Sequence, residues 1–356
     1  MLAEVKPSDD LLIVVAIFHD AKRLSVQQWL EGLNYRVLIY DPYACIHAFY
    51  TTIAARRVDN EKFAKSINNL QKLYAFGEYK YGNLGEDLFV APLVTANVTQ
   101  KCNLKCVDCG QAIPYYENPK EFTTDSVISE ITTFCKQVDL VPEISLHGGE
   151  PFLNTNIGEI CIELSKIPNL VFINIVTNGS ILPAPEVWPK LAMAGVDMHQ
   201  SNYGRISKKR DPVFELCQKH NIYCDTDFVF DHKNWVRIKV RDYGRSASEN
   251  KCIYETCVST SICAQIMDGK LYRCPISAHW GAQGHFEQSE GKDFIQIAGV
   301  KNLRKDTIRN FFGTKDAITA CNFCNYHPLA NSELVAPAIQ LSPKNIARLK
   351  KNIDPV

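Results

Sequence analysis

Cys102, Cys106 and Cys109 stand in a C-x-x-x-C-x-x-C loop, close enough in sequence for three thiolates to meet at one point. A four-iron cluster normally takes four thiolates. A loop that offers three leaves one iron open. An open iron can take a small chelating ligand and set it beside an electron source. Zinc is the competing reading, and it needs a fourth ligand, which His147 could supply.

A second group lies further along. Cys257 is followed by Gly269 and then by Cys274, and Cys321 and Cys324 close the group as C-x-x-C. Four thiolates complete a cluster with no open iron, suited to electron transfer or to holding the fold. A four-cysteine zinc ribbon fits the same spacing equally well. Cys252 and Cys263 lie in this stretch too. Cys263 could replace Cys257 as a ligand, or stand as a free thiol able to donate a hydrogen atom. The other five cysteines, Cys45, Cys135, Cys161, Cys217 and Cys224, fall in apolar or helical patterns and read as small buried hydrophobes.

The elements that must position these residues follow from periodicity. Residues 1–87 read as a small α/β accessory domain, with strands over 11–18 and 35–40 around a helix at 24–32, and a helical, mixed segment from 46 to 74. Gly77, Gly82 and Gly85 mark a linker. No G-x-G-x-x-G follows the first strand, so a dinucleotide-binding fold is not indicated. From 88 to 245, strand patterns at 88–98, 143–146, 171–176, 196–200 and 222–230 alternate with helical ones at 125–136, 157–166, 185–194 and 212–220. Repeated βα units imply a parallel sheet, open or closed into a barrel. Functional groups in such folds collect at the C-terminal ends of the strands. The cysteine loop, Gly148-Gly149-Glu150-Pro151 and Thr177-Asn178-Gly179 all lie at such ends. Residues 246–356 change to short strands and cysteine-bearing loops, ending in a basic helix at 342–352.

The bulk composition excludes several classes. The 356 residues carry 39 Lys plus Arg against 39 Asp plus Glu, so there is no basic footprint for nucleic acid or a membrane surface. No apolar run approaches the ~20 residues of a membrane-spanning helix. The acidic start lacks a secretory signal. A cytoplasmic protein is expected, where grouped cysteines signify metal or redox chemistry more than disulfides.

The loop from Cys102 to Cys109 resembles that of the radical S-adenosylmethionine (SAM) superfamily. Gly148-Gly149-Glu150-Pro151 resembles its glycine-rich motif, and Val176-Thr177-Asn178-Gly179 the stretch after its third strand. The resemblance covers about 88–231. It implies a partial (β/α)6 TIM-like barrel, a [4Fe-4S] cluster on Cys102, Cys106 and Cys109, and SAM held through Gly148, Gly149, Glu150, Asn178, Ser201 and Asn202. Asp108 departs from the family, which often places an aromatic residue just before the third cysteine. Cys257, Gly269, Cys274, Cys321 and Cys324 resemble the auxiliary-cluster region of the SPASM/Twitch branch. No cysteine follows Cys324, so the shorter, Twitch-like form is implied, with two [4Fe-4S] clusters in all.

That resemblance implies an enzyme, reduced by flavodoxin or ferredoxin, that cleaves SAM to methionine and a 5′-deoxyadenosyl radical. The radical removes a hydrogen atom from a small polar, carbohydrate-like substrate, in dehydrogenation or epimerisation. For epimerisation Cys263 is the candidate hydrogen donor. His279 and Trp280 are candidate pocket residues, one to hydrogen-bond and one to stack on a polar ring. Tyr203, Arg205 and Trp235 are further pocket candidates. The alternatives are modification of a ribosomally made peptide, or a non-catalytic iron–sulfur or zinc binding protein.

Overall fold

The computed structural model describes residues 12–15, 36–39, 89, 91, 93–139, 141–225, 235–257, 259–260, 263–327 and 332–342. The expected helices at 24–32 and 342–352 and the segment 46–74 lie outside the described residues, apart from Ser342. Of the N-terminal unit, β1 (Leu12–Val15) and β2 (Arg36–Ile39) pair in parallel, with Leu12 opposite Arg36.

The main body is a mixed α/β structure around one large sheet. Its strands β3 (Leu93–Thr99), β4 (Val141–Gly148), β5 (Leu170–Thr177), β6 (Asp197–Gln200) and β7 (Tyr223–Asp225) run parallel and adjacent in chain order. Helices α1 (Thr124–Cys135), α2 (Ile157–Ser165), α3 (Val187–Ala194) and α4 (Arg210–Lys219) alternate with them. This is the parallel sheet that the βα alternation predicts, arranged as the partial TIM-like barrel that the family resemblance implies. The antiparallel pair β8 (Trp235–Val236) and β12 (Leu334–Val335) lies apart from it. After α5 (Ala247–Thr256), β9 (Cys263–Met267) returns to pair in parallel with β3. The antiparallel strands β10 (Lys270–Tyr272) and β11 (Phe294–Gln296) complete eight strands in the order β11-β10-β9-β3-β4-β5-β6-β7. Strands from the 246–356 stretch thus extend the barrel sheet itself.

Helix boundaries obey local chemistry. Thr123 caps α1, its hydroxyl accepting from Ser126 N at 3.2 Å. Val127, Ile131 and Phe134 recur at helical spacing and face the sheet. Gly195, at φ 65°, ends α3 in the left-handed conformation.

The strands place function by their period of two. Val94, Ala96 and Val98, then Ile144 and Leu146, then Ile173 and Ile175, and Val196 and Met198 join the helices in the apolar core. The opposite positions are polar: Thr95 and Asn97, Glu143, Ser145 and His147, Asn174, His199, and Gln265 on β9. Parallel strands buried on both faces are normally apolar throughout, with branched side chains filling a barrel. A polar inner face marks a lumen built to hold something polar. No helix among the described residues is long and apolar enough to cross a membrane.

Candidate active site

The cysteine loop leaves the C-terminal end of β3. Cys102 Sγ accepts from Leu104 N at 3.3 Å and is approached by Asn178 Nδ2 at 3.8 Å. Cys106 Sγ accepts from Gln340 Nε2 at 3.2 Å. Cys109 accepts from backbone N–H groups of residues 111–113. Burial, with the charge of Cys109 adding to it, pushes the Cys102 and Cys106 thiols up to about 12. Thiolates in such a setting need positive charge beside them, which iron supplies.

The glycine-rich turn after β4 is pressed against this loop. Gly149 N donates to Thr99 O and Glu150 N to Lys101 O, both at 2.9 Å. A Cβ on Gly149 would fall 2.1 Å from Lys101 O and 2.7 Å from Cys102 Cβ, and one on Gly148 2.2 Å from Thr99 O. Both positions need glycine because backbone meets backbone there. Gly149→Ala must therefore push the cysteine loop outward. The expected result is about 1–3 kcal/mol of lost stability and reduced iron content after reconstitution, read by denaturant melts and iron assay. Wild-type values for both would show that the contact is not rigid.

Glu150 is fully buried. Oε1 accepts from Thr177 Oγ1 at 2.8 Å and Phe152 N at 3.3 Å, and Oε2 from Asn178 N at 2.8 Å. Desolvation outweighs these donors and raises the carboxyl to about 7. The group is held rigidly at the end of β4 beside Cys102, whose thiol its charge raises. It lacks a cationic partner among the described ion pairs. Asn178 bridges the strand ends, donating to Asn103 Oδ1 at 3.0 Å, while Asn103 donates to Ser180 Oγ at 2.7 Å.

Beyond β6, Ser201 N donates to Thr177 O at 2.9 Å, and Asn202 Oδ1 accepts from Gly204 N at 3.0 Å. Tyr203 follows, its phenol raised first by burial and further by all three loop cysteines, with Trp235 edge-on at 5.6 Å. Ser201 and Asn202 are thus turn-forming residues that set Tyr203 over the loop. Asp108 has a structural use: its Oδ1 accepts from Ile238 N at 3.1 Å, tying the cysteine loop to the segment after β8.

Cys257, Cys274, Cys321 and Cys324 line one cavity of about 140 Å³, together with Gly110, Ile253, Ile276 and Ala320. Cys321 lies on the short α7 (Ala320–Phe323), which follows α6 (Lys305–Gly313). Arg245 holds the C-x-x-C turn, donating to Cys321 O at 2.6 Å and Cys324 O at 2.9 Å. Gly110, directly after Cys109, forms part of the same wall.

Cys257 lines that cavity, whereas Cys263, raised by burial and by the charge of Cys257, is not among its lining residues. Cys263 begins β9 opposite Leu93, six strand positions, roughly 20 Å, from the strand end that carries the cysteine loop. Trp280 is not free to stack on a ligand: its ring packs on Tyr115 at 5.0 Å and His285 at 4.8 Å in the cluster that includes Cys274 and Cys321.

His279, by contrast, faces the lumen from a π-helical turn, Ser277–Gly281. Its Nε2 meets Gln265 Nε2 at 2.7 Å, and its Nδ1 meets Tyr116 O–H at 2.9 Å. Gln265 also donates to Asn97 Oδ1 at 2.5 Å. His147 joins through Gln111 at 3.1 Å and Ser145 at 3.1 Å. Burial holds His147 down to about 4, with His199 adding to it, and His279 down to about 3, with His147 adding to it. The lumen is therefore lined by neutral imidazoles, amides and hydroxyls, with the Glu143 carboxyl towards the start of β4. Asn97, Gln111, Tyr116, Ser145, His199 and Gln265 were not singled out from sequence; the available signal was the polar alternation along the strands.

Residues 96–200 match the Radical SAM superfamily. The GTP 3′,8-cyclase of Limosilactobacillus fermentum is 30% identical over 91 residues, 25% of this chain and 27% of that protein. Molybdenum cofactor biosynthesis protein 1 of Drosophila melanogaster is 34% identical over 125 residues, 35% of this chain and 21% of that protein. The chain spans about a quarter of the length of these relatives. Among solved structures, BtrN in complex with AdoMet and 2-DOIA overlays 66% of this chain and 92% of its own, with a TM-score of 0.41 and 16% identity. Streptococcus suis SuiB bound to S-adenosylmethionine overlays 60% and 66%, with a TM-score of 0.32 and 13% identity.

Proposed function

Because residues 96–200 are a radical SAM superfamily domain, we propose that this enzyme cleaves SAM at a [4Fe-4S] cluster on Cys102, Cys106 and Cys109 and takes a hydrogen atom from a small, neutral, polar substrate in the barrel lumen. The observation that carries this reading is the convergence of three thiols and the buried Glu150 carboxyl at the ends of β3 and β4. SAM and the reduced cluster supply the chemistry: one electron cleaves the sulfonium to methionine and a 5′-deoxyadenosyl radical. The chain's residues bind and orient. Cys102, Cys106 and Cys109 would hold the cluster by three thiolates, so that SAM could chelate it where no protein ligand reaches. Glu150 accepts hydrogen bonds from the amino group, and Asn178 fixes the loop through Asn103.

The lumen supports the substrate class. None of the inner-face residues Thr95, Asn97, Glu143, Ser145, His147, Asn174, Asp197, His199 and Gln265 is cationic. A nucleoside triphosphate, the substrate named for the cyclase relatives, would call for Lys or Arg there. Neutral imidazoles and amides suit hydroxyl groups instead, which favours a carbohydrate-like molecule. The cavity walled by Cys257, Cys274, Cys321 and Cys324 suits an auxiliary [4Fe-4S] cluster. A four-thiol cavity walled in part by Gly110, directly after Cys109, favours dehydrogenation over epimerisation. A cluster held by Cys257, Cys274, Cys321 and Cys324 would supply the one-electron acceptor that oxidation of a carbinol radical to a ketone, with loss of a proton, requires. Flavodoxin or ferredoxin would deliver the first electron.

The test is substrate-dependent turnover. Reconstituted enzyme with SAM and reductant is offered deuterated neutral polyols and aminocyclitols, nucleoside triphosphates, and peptides. Deuterium in 5′-deoxyadenosine from the first group alone is expected. Transfer from a nucleoside triphosphate or a peptide would overturn the substrate class.

A further inference from the structure

The chain's last described residues form a strap across the cysteine loop. Val107 N donates to Ile339 O at 2.7 Å and Leu341 N to Lys105 O at 2.6 Å, an antiparallel bridge centred on Cys106 and Gln340. Ala338, in the left-handed region at φ 54° and fully buried, turns the chain into this position. Such a conformation costs a non-glycine residue roughly 1 kcal/mol, so the strap is held by what it contacts.

The carboxamide of Gln340 is fixed in one orientation by three bonds. Its Oε1 accepts from Lys105 N at 2.8 Å, and its Nε2 donates to Ala338 O at 2.7 Å and Cys106 Sγ at 3.2 Å. Flipping the amide would set its NH2 against the Lys105 N–H and its oxygen against the Ala338 carbonyl and the sulfur. The donor therefore points at Cys106. Cys102 and Cys109 draw on backbone N–H groups of their own loop, whereas Cys106 draws on a side chain 234 residues away.

We propose that Gln340 sets the reduction potential of the cluster on Cys102, Cys106 and Cys109, acting as a positioning residue through Cys106. This rests on the cluster assignment proposed above. Reduction adds one electron from the external reductant to the cluster, and an N–H dipole aimed at a ligand sulfur stabilises the more negative state. Hydrogen bonds to the sulfurs are among the established determinants of such potentials. The strap thereby couples the order of the chain's far end to how readily the cluster accepts its electron.

The test compares wild type, Gln340→Leu and Gln340→Glu after anaerobic reconstitution, by redox titration followed with electron paramagnetic resonance. Gln340→Leu removes the donor without adding charge. Gln340→Glu keeps the acceptor for Lys105 N, and so the strap, while losing the donor. The expected potentials fall in the order wild type, Leu variant, Glu variant, with the second cluster's potential unmoved as an internal reference. A purely structural role would change melting temperature or iron content and leave the potential of the loaded cluster where it was. Equal potentials in the wild type and either iron-loaded variant overturn the inference. Wild-type protein that binds no iron through the three loop cysteines overturns the cluster assignment instead. If Gln340→Leu does not fold, the Gln340→Glu comparison decides alone.

Discussion

Replacing Cys102, Cys106 and Cys109 together by alanine is expected to leave about four of about eight iron atoms and to abolish SAM cleavage. On the proposed two-cluster reading that remaining iron would sit in the cavity lined by Cys257, Cys274, Cys321 and Cys324. Replacing Cys321 and Cys324 by serine should remove that half instead. It should also destabilise the protein, since both lie against the buried cluster of Trp280, Phe286, Ile253 and Tyr254. Metal-bound thiolates hold such satellite cores outright. Iron and sulfide assays on the two variants separate the sites. Loss of all iron from either variant, or zinc in place of iron in both, contradicts the two-cluster assignment.

Glu150→Gln is expected to weaken SAM binding roughly 10- to 100-fold, the worth of a charge-assisted hydrogen bond in a buried site. The pH dependence gives a sharper signature. Burial raises the Glu150 carboxyl to about 7. Below that pH the neutral acid turns an O–H donor towards an amino group that needs an acceptor. Wild-type affinity should therefore rise with pH up to about 7 and level off above it, with a proton released on binding below that value. The variant should be flat over the same range. The folding linkage has the same origin: a carboxyl raised from 4.5 to about 7 binds its proton more tightly folded than unfolded. Its contribution to stability is present at low pH and is lost as pH rises through about 7. Titration calorimetry on cluster-loaded protein reads the affinity directly. Equal affinity in wild type and variant would remove Glu150 from the SAM site.

The parallel sheet was legible because its outward positions, from Val94, Ala96 and Val98 to Val196 and Met198, are apolar at a period of two, with helical spacing between. Expected and observed strands differ by a few residues at the ends; β4, for example, runs from Val141 to Gly148. The site motifs were legible because they lie at strand ends and depend on local spacing. What stayed hidden depends on distant pairing. β9 joins β3 across about 170 residues, with Cys263 opposite Leu93, and no local pattern announces that partner. Nor does Glu143-Ile144-Ser145-Leu146-His147 say whether its polar face meets solvent or a lumen. Closure of the sheet decides that. Trp280 and His279 are neighbours in sequence, yet the π-helical turn sends one into an apolar cluster and the other into the lumen. Gln340 reaches Cys106 only because the chain's far end folds back over the loop.

The central claim is that this site cleaves SAM, and anaerobic single-turnover chemistry tests it most directly. Reconstituted protein is mixed with SAM and dithionite, and 5′-deoxyadenosine is quantified by liquid chromatography. The account predicts 5′-deoxyadenosine and methionine in equal amounts, dependent on Cys102, Cys106 and Cys109 and lost with reductant omitted. Protein fully loaded with iron at those cysteines that releases no 5′-deoxyadenosine, with or without polyol substrates, would contradict it.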